Sequence, residues 1–243
     1  MVHKLPMKVT PIKTQIFSEG DDLIKFIIKE IPKISEGDIL VVTSKIVSLG
    51  EGRTAVYTNE KDIEKIIKKE SQFAMRTKLV WLTIKDGMVL ASAGIDKSNA
   101  NGKVILLPKD SFNSAKVIRK LLLKYFKIKN LGVIISDSRT LPLRAGIVGI
   151  AVGYAGFKGI HRYKGSKDLF GNVLHFSRTD VADSLATSAV VLMGEGNECQ
   201  PLAIIEGAPV VYTDKLNRKE LNIDIKEDMY QPLFEKINKI KFK

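Results

Sequence analysis

The chain has 243 residues, 44% hydrophobic and 27% charged, enough for a large core in one domain or two intimate lobes. No apolar run reaches the length of a membrane span and the opening MVHKLPMK has no apolar signal core, so a soluble, cytoplasmic protein with no membrane partner is expected. The single Cys199 excludes an internal disulfide framework and a cysteine-based zinc cluster, while a net charge of +12 admits nucleic acid, a membrane surface or anionic small molecules as partners.

Residues 8–16 read as an extended opening segment, because Pro11 discourages helix there. After Ser18 and Gly20 an amphipathic helix begins at Asp21, with Leu23, Ile24, Phe26, Ile27 and Ile31 along one side. Gly37-Asp38 is a turn, and 39–42 is a buried strand that ends on Thr43-Ser44-Lys45, hydroxyls and an ammonium that suit a phosphate as well as a plain polar turn. Ile46-Val47 is expected to continue extended towards Gly50. Residues 60–72 form a Lys/Glu-rich helix with Ile63, Ile66 and Ile67 inward. The apolar runs 79–84 and 88–91 flank Lys85-Asp86-Gly87, a hairpin turn. Asp96 follows, with Ser98 and Asn99 beside it, and 104–107 is a further strand stopped by Pro108.

Asp110 or Ser111 caps a helix through Phe126. Residues 132–135 are a short buried strand that stops on Ser136-Asp137-Ser138-Arg139. A carboxylate at the end of a buried strand is held rigidly, which suits a metal ligand; the alternative is a strand ending in a polar turn. Arg139 and Arg144 fall within one loop, and arginine grips phosphate or carboxylate in a fork. The glycine-spaced run 145–156 lets another backbone or a ligand come close. Residues 161–171 are a basic polar loop, in which His161 is a weak candidate base. Thr179 or Asp180 starts a helix over 181–193, where Asp183 near the N-terminus meets a favourable dipole. The helix runs into the turn Met193-Gly194-Glu195-Gly196-Asn197-Glu198. Strands are expected at 202–205 and 210–211, then a C-terminal helix over 227–243 broken by Pro232 and a basic tail.

Asp96, Asp137 with Ser138, Glu195, and Thr43-Ser44-Lys45 are therefore candidates for one pocket. Hard divalent cations take carboxylate and hydroxyl oxygens, and Mg²⁺ or Mn²⁺ bridges such groups to nucleotide phosphates. No Gly-x-x-x-x-Gly-Lys-[Ser/Thr] phosphate loop is present. The excess lysine is spread over 61–69, 116–129 and 236–243 as on solvated helix faces, without interleaved aromatics, so nucleic acid is not the expected partner. The middle-segment cluster Arg139, Arg144, Arg162 and Arg178 fits a small anion better. A basic RNA-binding protein and a metal-dependent phosphohydrolase remain as alternatives of a different class.

Gly37-Asp-Ile-Leu-Val-Val-Thr-Ser-Lys45, Ala93-Gly-Ile-Asp-Lys-Ser-Asn99, Ile134-Ile-Ser-Asp-Ser138, Gly149-Ile-Ala-Val-Gly153, Gly165-Ser-Lys-Asp-Leu-Phe-Gly171, Val181-Ala-Asp183 and Leu192-Met-Gly-Glu-Gly196 occur in order. Together they resemble the coenzyme F420-0:γ-glutamyl ligase family over nearly the whole chain. The resemblance implies one family domain over 1–243, an α+β fold of two lobes with mixed sheet and helix, and an intertwined homodimer. It implies ligation of L-glutamate through its amine onto a carboxylate, driven by GTP or ATP, with two divalent cations, Mg²⁺ or Mn²⁺. Asp96, Asp137, Ser138 and Glu195 match the family's metal positions, with Ser138 where threonine is usual. Pro11, Ile12, Lys13, Thr43, Ser44, Ser48, Asn99, Met193, Gly194, Gly196 and Asn197 match its nucleotide positions, and Asp137, Arg139 and Arg144 are the candidate catalytic residues. The sequence departs from the F420 enzyme at 139–144, at His161-Arg162-Tyr163, at Ser184 and at Glu198. Those departures favour a folate-type acceptor and folate metabolism (tetrahydrofolate polyglutamylation), with F420-0 and coenzyme F420 biosynthesis as the alternative.

Overall fold

The computed structural model describes residues 6–238. The chain folds into two compact units, one from residues up to 52 and from 108 to 220, the other from 53–107 and from 221 on. The architecture is the expected α+β class. Residues 1–5, and residues 239–243 of the expected C-terminal helix and basic tail, lie outside the described residues.

The first unit opens with β1 (Lys8–Ile12), α1 (Leu23–Glu30), β2 (Asp38–Thr43) and α2 (Ser44–Gly50). Asp22 caps α1 by accepting from the backbone N–H groups of Ile24 and Lys25, and the helix buries Ile27. Helix α2 corrects the sequence expectation of an extended 46–47. The β-branched pair favours strand by propensity, but α2 buries Ile46 and Val47 together with Ser44 and Ser48, and burial outweighs a weak local preference.

The second unit follows with β3 (Thr54–Ala55), α3 (Glu60–Glu70), β4 (Phe73–Arg76), β5 (Trp81–Lys85), β6 (Met88–Ala91) and β7 (Val104–Ile105). Strands β4, β5 and β6 form an antiparallel meander, and β3 pairs β7. The hairpin falls where the turn residues place it: Lys85 pairs Met88, and Asp86 and Gly87 between them lie at φ 51° and 79°. Ile63 and Ile67 of α3 pack on Val104 and Leu106. One polar cluster is enclosed here. The Glu70 carboxylate accepts from Arg53 Nη2 at 2.7 Å and from Lys85 Nζ at 2.9 Å, and Lys85 also donates to the Glu70 carbonyl at 2.9 Å. Burial works against the charge of Glu70, but Lys85 and then Arg53 hold its pKa below the usual carboxylate range.

The chain returns to the first unit through α4 (Ser111–Phe126), β8 (Leu131–Thr140), β9 (Ile147–Ala155), β10 (Ile160–Arg162), β11 (Arg178–Asp180), α5 (Val181–Met193) and β12 (Leu202–Glu206). Helix α6 (Gln231–Asn238) belongs to the second unit. Pro232 is the second residue of α6, in the first turn where proline is tolerated, so it opens that helix and does not break it. The basic loop 161–171 proves to be framed by the hairpin β10–β11, whose Ile160 pairs Asp180. Val210-Val211 forms no strand; Gly207 and Pro209 interrupt the chain, and the only pairing nearby is a bridge from Phe157 to Tyr212. The expected strand over 104–107 is confined to β7.

The first unit is built on a five-stranded sheet in the order β1-β12-β2-β8-β9. Only β2 and β8 are parallel; the other neighbours are antiparallel. Its core is the near-continuous apolar run of β2, β8 and β12, where Ile39, Leu40, Val41, Val42, Ile134, Ile135, Leu202 and Ile205 are fully enclosed.

Candidate active site

Register decides which segments meet. Ile12 pairs Leu202, Leu202 pairs Val42, and Val42 pairs Ile135. The end of β1, the start of β12 and the ends of β2 and β8 therefore lie along one edge of the sheet. Pro11, Ile12 and Lys13, Thr43 and Ser44, Asp137 and Ser138, and the turn 193–201 leading into β12 all gather there. Backbone hydrogen bonds close the gathering: Thr43 N–H donates to Pro201 O at 3.0 Å, and Thr14 N–H to Cys199 O at 2.9 Å. This is the carboxyl end of the parallel pair β2 and β8, where strands open a crevice for ligands in mixed α/β sheets.

Strand β8 also outruns its neighbour. Pairing with β2 stops at Thr43 and Ser136, so Asp137 to Thr140 have only β9 beside them. Successive side chains leave a strand on opposite faces, and Asp137 and Ser138 reach different partners. Ser44 Oγ donates to Asp137 Oδ1 at 3.3 Å. Ser138 Oγ donates to the Glu195 carboxylate, 2.9 Å and 3.1 Å from its two oxygens. Ser44 is 93 residues from Asp137, and Glu195 is 57 from Ser138, so these links are products of the fold and not of a local turn.

Arg139 and Arg144 part company. Arg144 is exposed in the turn between β8 and β9. Arg139 is half-buried, with Nη2 3.9 Å from Asp183 Oδ2, and its Nε is enclosed without a hydrogen-bond partner. Asp183 accepts from the backbone N–H of Ala151 at 2.9 Å, and Asp180 caps α5 by accepting from Asp183 N–H at 3.0 Å. Burial pushes Asp180 up to about 6 and raises Asp183 as well, with the Arg139 charge opposing in both cases.

The turn after α5 is shaped by glycine and by an acid. Met193 is buried, Gly194 takes φ 81°, and Glu195 and Asn197 are exposed. Glu198 folds its carboxylate under the turn and accepts from Gly196 N–H at 2.8 Å. Ser48, an expected nucleotide position, lies inside α2, fully buried, its hydroxyl without a hydrogen-bond partner. Asp96 and Asn99 belong to the second unit. There Asp96 accepts from Ser98 N–H at 2.6 Å and Ser98 Oγ at 3.0 Å, and Asn99 takes φ 53°.

Sequence reasoning saw Asp180 only as a helix start and Ser136 only as part of a polar strand end. It gave Asp183 only a helix-end role, and the Ser136 hydroxyl, enclosed beside Asp137, has no partner. The spacing of Asp180 three residues before Asp183 is a capping signal, but nothing in it shows the bond to Ala151.

The sequence model described as F420-0:Gamma-glutamyl ligase matches residues 11–207, which spans the sheet edge from Pro11 to Glu195. The chain belongs to that family. The coenzyme F420:L-glutamate ligase of Methanococcus maripaludis is 32% identical over 250 residues, covering 95% of this chain and 100% of the relative. The enzyme of the same name from Methanocaldococcus jannaschii is 34% identical over 229 residues, covering 86% and 91%. The one from Methanopyrus kandleri is 32% identical, covering 84% and 87%. Family membership makes this chain a γ-glutamyl ligase. The relatives' names back the F420-0 alternative and not the folate-type acceptor that the changed residues at 139–144 and 161–163 favoured. Altered loops around a retained edge are weak evidence of a changed acceptor, because loops vary among relatives that share a substrate.

The donors at the edge fit a hard cation. Among the described residues no group of three or more His, Cys, Asp and Glu gathers as a metal cluster. What the fold supplies at the end of β8 is the carboxylates of Asp137 and Glu195 and the hydroxyls of Ser44 and Ser138, oxygen donors of the kind Mg²⁺ and Mn²⁺ prefer.

Proposed function

We propose that the chain joins L-glutamate, through its amine, to a carboxylate of F420-0 at the expense of GTP or ATP. The observation that carries this reading is the register that brings Pro11–Lys13, Thr43–Ser44, Asp137–Ser138 and the 193–198 turn to one sheet edge. Segments scattered over the sequence have no structural need to share an edge lined with hydroxyls, carboxylates and glycines; a nucleotide with its phosphates gives them one.

A carboxylate and an amine do not condense in water, so the acceptor must first be activated. An acceptor carboxylate oxygen attacks the γ-phosphorus, the bond to the β-phosphate oxygen breaks, and the nucleoside diphosphate leaves. The glutamate nitrogen then attacks the acyl phosphate carbon, the carbon–oxygen bond to phosphate breaks, and inorganic phosphate departs as the nitrogen gives up a proton. Both steps concentrate negative charge on phosphoryl oxygens. Arg139, half-buried beside Asp183, and Arg144, exposed in the following turn, are the candidates to meet it. Asp137, Ser138 and Glu195 would hold Mg²⁺ or Mn²⁺, which supplies charge neutralisation on the nucleotide phosphates when bound. Two such cations, with Asp96 as a further ligand, and a homodimeric assembly are the remaining parts of the reading, and both come from the family resemblance.

The test is direct. Protein, L-glutamate, Mg²⁺ or Mn²⁺ and either nucleotide are incubated with F420-0 and, separately, with tetrahydrofolate, and products are weighed by mass spectrometry. A glutamyl adduct of F420-0 with stoichiometric diphosphate release is expected. An adduct only of tetrahydrofolate would restore the folate reading, and nucleotide turnover without either acceptor would replace the ligase by a phosphohydrolase.

A further inference from the structure

The ladder between β8 and β9 is not regular. Ile135 pairs Gly153, yet the next residue, Ser136, pairs Ala151, so Val152 is an extra residue on β9. The bulge lies opposite Ser136 and one residue before Asp137. Its effect shows in the glycines on either side. Residues four apart on a regular strand share a face. Here a Cβ on Gly149 would stand 2.6 Å from Val190 of α5, and one on Gly153 would stand 2.4 Å from the backbone of Ser111 at the start of α4. The extra residue has turned the strand between them, and a bulge bends and twists the ladder that carries Asp137.

A bulge frees backbone groups from the ladder, and Asp183 captures one of them, the N–H of Ala151, at 2.9 Å. The same carboxylate stands 3.9 Å from the guanidinium of Arg139, two residues past Asp137. Asp183 is itself fixed, because its own N–H is held at 3.0 Å by the Asp180 carboxylate. A surface helix-end acid gains its advantage from the dipole alone and needs neither bond.

The geometry points to Asp183 as a positioning residue of the ligase site: it pins the β9 bulge through Ala151 and orients the Arg139 guanidinium towards the developing phosphoryl charge. The inference rests on the ligase reading for its kinetic arm only. Asp183→Asn separates the two contacts, since an amide oxygen still accepts from Ala151 while the charge that Arg139 faces is gone. It is expected to lower kcat roughly tenfold with the nucleotide KM unchanged, as a small misorientation of a catalytic group does. Asp183→Glu, which keeps the charge, recovers part of the loss. In an Arg139→Gln background Asp183→Asn costs nothing further, because the group it orients is absent. An independent measurement follows the Arg139 Nη–H signal, on the side that faces Asp183, by ¹H–¹⁵N NMR. It is expected to be slow to exchange in the parent and fast in Asp183→Asn, while the Ala151 amide stays protected.

Equal activity in Asp183→Asn and parent, the same tenfold loss in the Arg139→Gln background, or an Nη–H signal that ignores the substitution would each overturn the assignment. Failure of the parent to ligate glutamate would instead strike the function, and the NMR arm would still decide whether Asp183 holds Arg139.

Discussion

Each unit sets an acid close to a serine, Asp137 with Ser138 inside β8 and Asp96 with Ser98 just past the bridge from Asp96 to Ile105, and the side-chain bonds at the two places differ in reach. At Asp137 and Ser138 the partners come from far along the chain: Ser44 from the end of β2 and Glu195 from beyond α5. At Asp96 the carboxylate takes the backbone and hydroxyl of Ser98, two residues on. A short acid bonding its own backbone two residues later is what any Asp does in a turn. At β8 the acid and the hydroxyl are each tied to a different, distant segment. Family resemblance treats Asp96 and Asp137 alike as metal positions, so the contrast is a question for experiment.

The sharpest way to press it is substitution of the two acids. Asp137→Asn is expected to cut ligation about a hundred-fold or more, because the charge at the strand end is lost, with little change in melting temperature. Asp96→Asn, in parallel, should lose activity to a comparable degree; a nearly unaffected Asp96→Asn would reduce that residue to a turn former. Steady-state rates with saturating nucleotide read both.

Stability should divide the units the other way. Glu70→Leu leaves Arg53 and Lys85 without their shared carboxylate, and a loss of about 3 kcal/mol is expected in denaturant unfolding. The Glu70 pKa is lowered in the fold, so its contribution is present above the ordinary glutamate range and fades as pH falls through the folded value. Ser138→Ala should cost less: roughly tenfold in rate as Glu195 loses its tether, and within about 0.5 kcal/mol in stability. The smallest effect belongs to Asp180. Its pKa is raised to about 6, so the stability it gives by binding a proton is full at low pH and drains away as pH rises through 6. Asp180→Asn keeps the helix cap and removes this dependence, so the melting temperature of the variant should gain on the parent as pH climbs from about 4 to 7.

Much of the fold was legible where one residue type had one local job. Asp110 and Asp180 announced their helices, and Asp86-Gly87 fixed a hairpin by its positive φ angles. Buried runs such as 39–42 read as strands because both faces are enclosed. Errors came where packing overrode propensity, as in α2, or where polar residues pair in a small ladder, as in β10 and β11. The candidate site was legible only as fragments. Each motif could be seen, but the edge they share depends on register between strands nearly two hundred residues apart, and no local pattern carries that. The bulge at Val152 was invisible for the same reason, and with it the reach of Asp183 to Ala151.

The placement of β12 has a consequence for synthesis. Among the described residues it is the last strand in sequence, yet it lies between β1 and β2, the first two. While the ribosome is still translating the middle of the chain, β1 has no hydrogen-bonding neighbour and β2 offers an unsatisfied edge on one side. The nascent sheet closes only when residues beyond 201 emerge, so chains truncated before that point should be caught by chaperones or by one another. A protein cut there loses its keystone and not merely its tail.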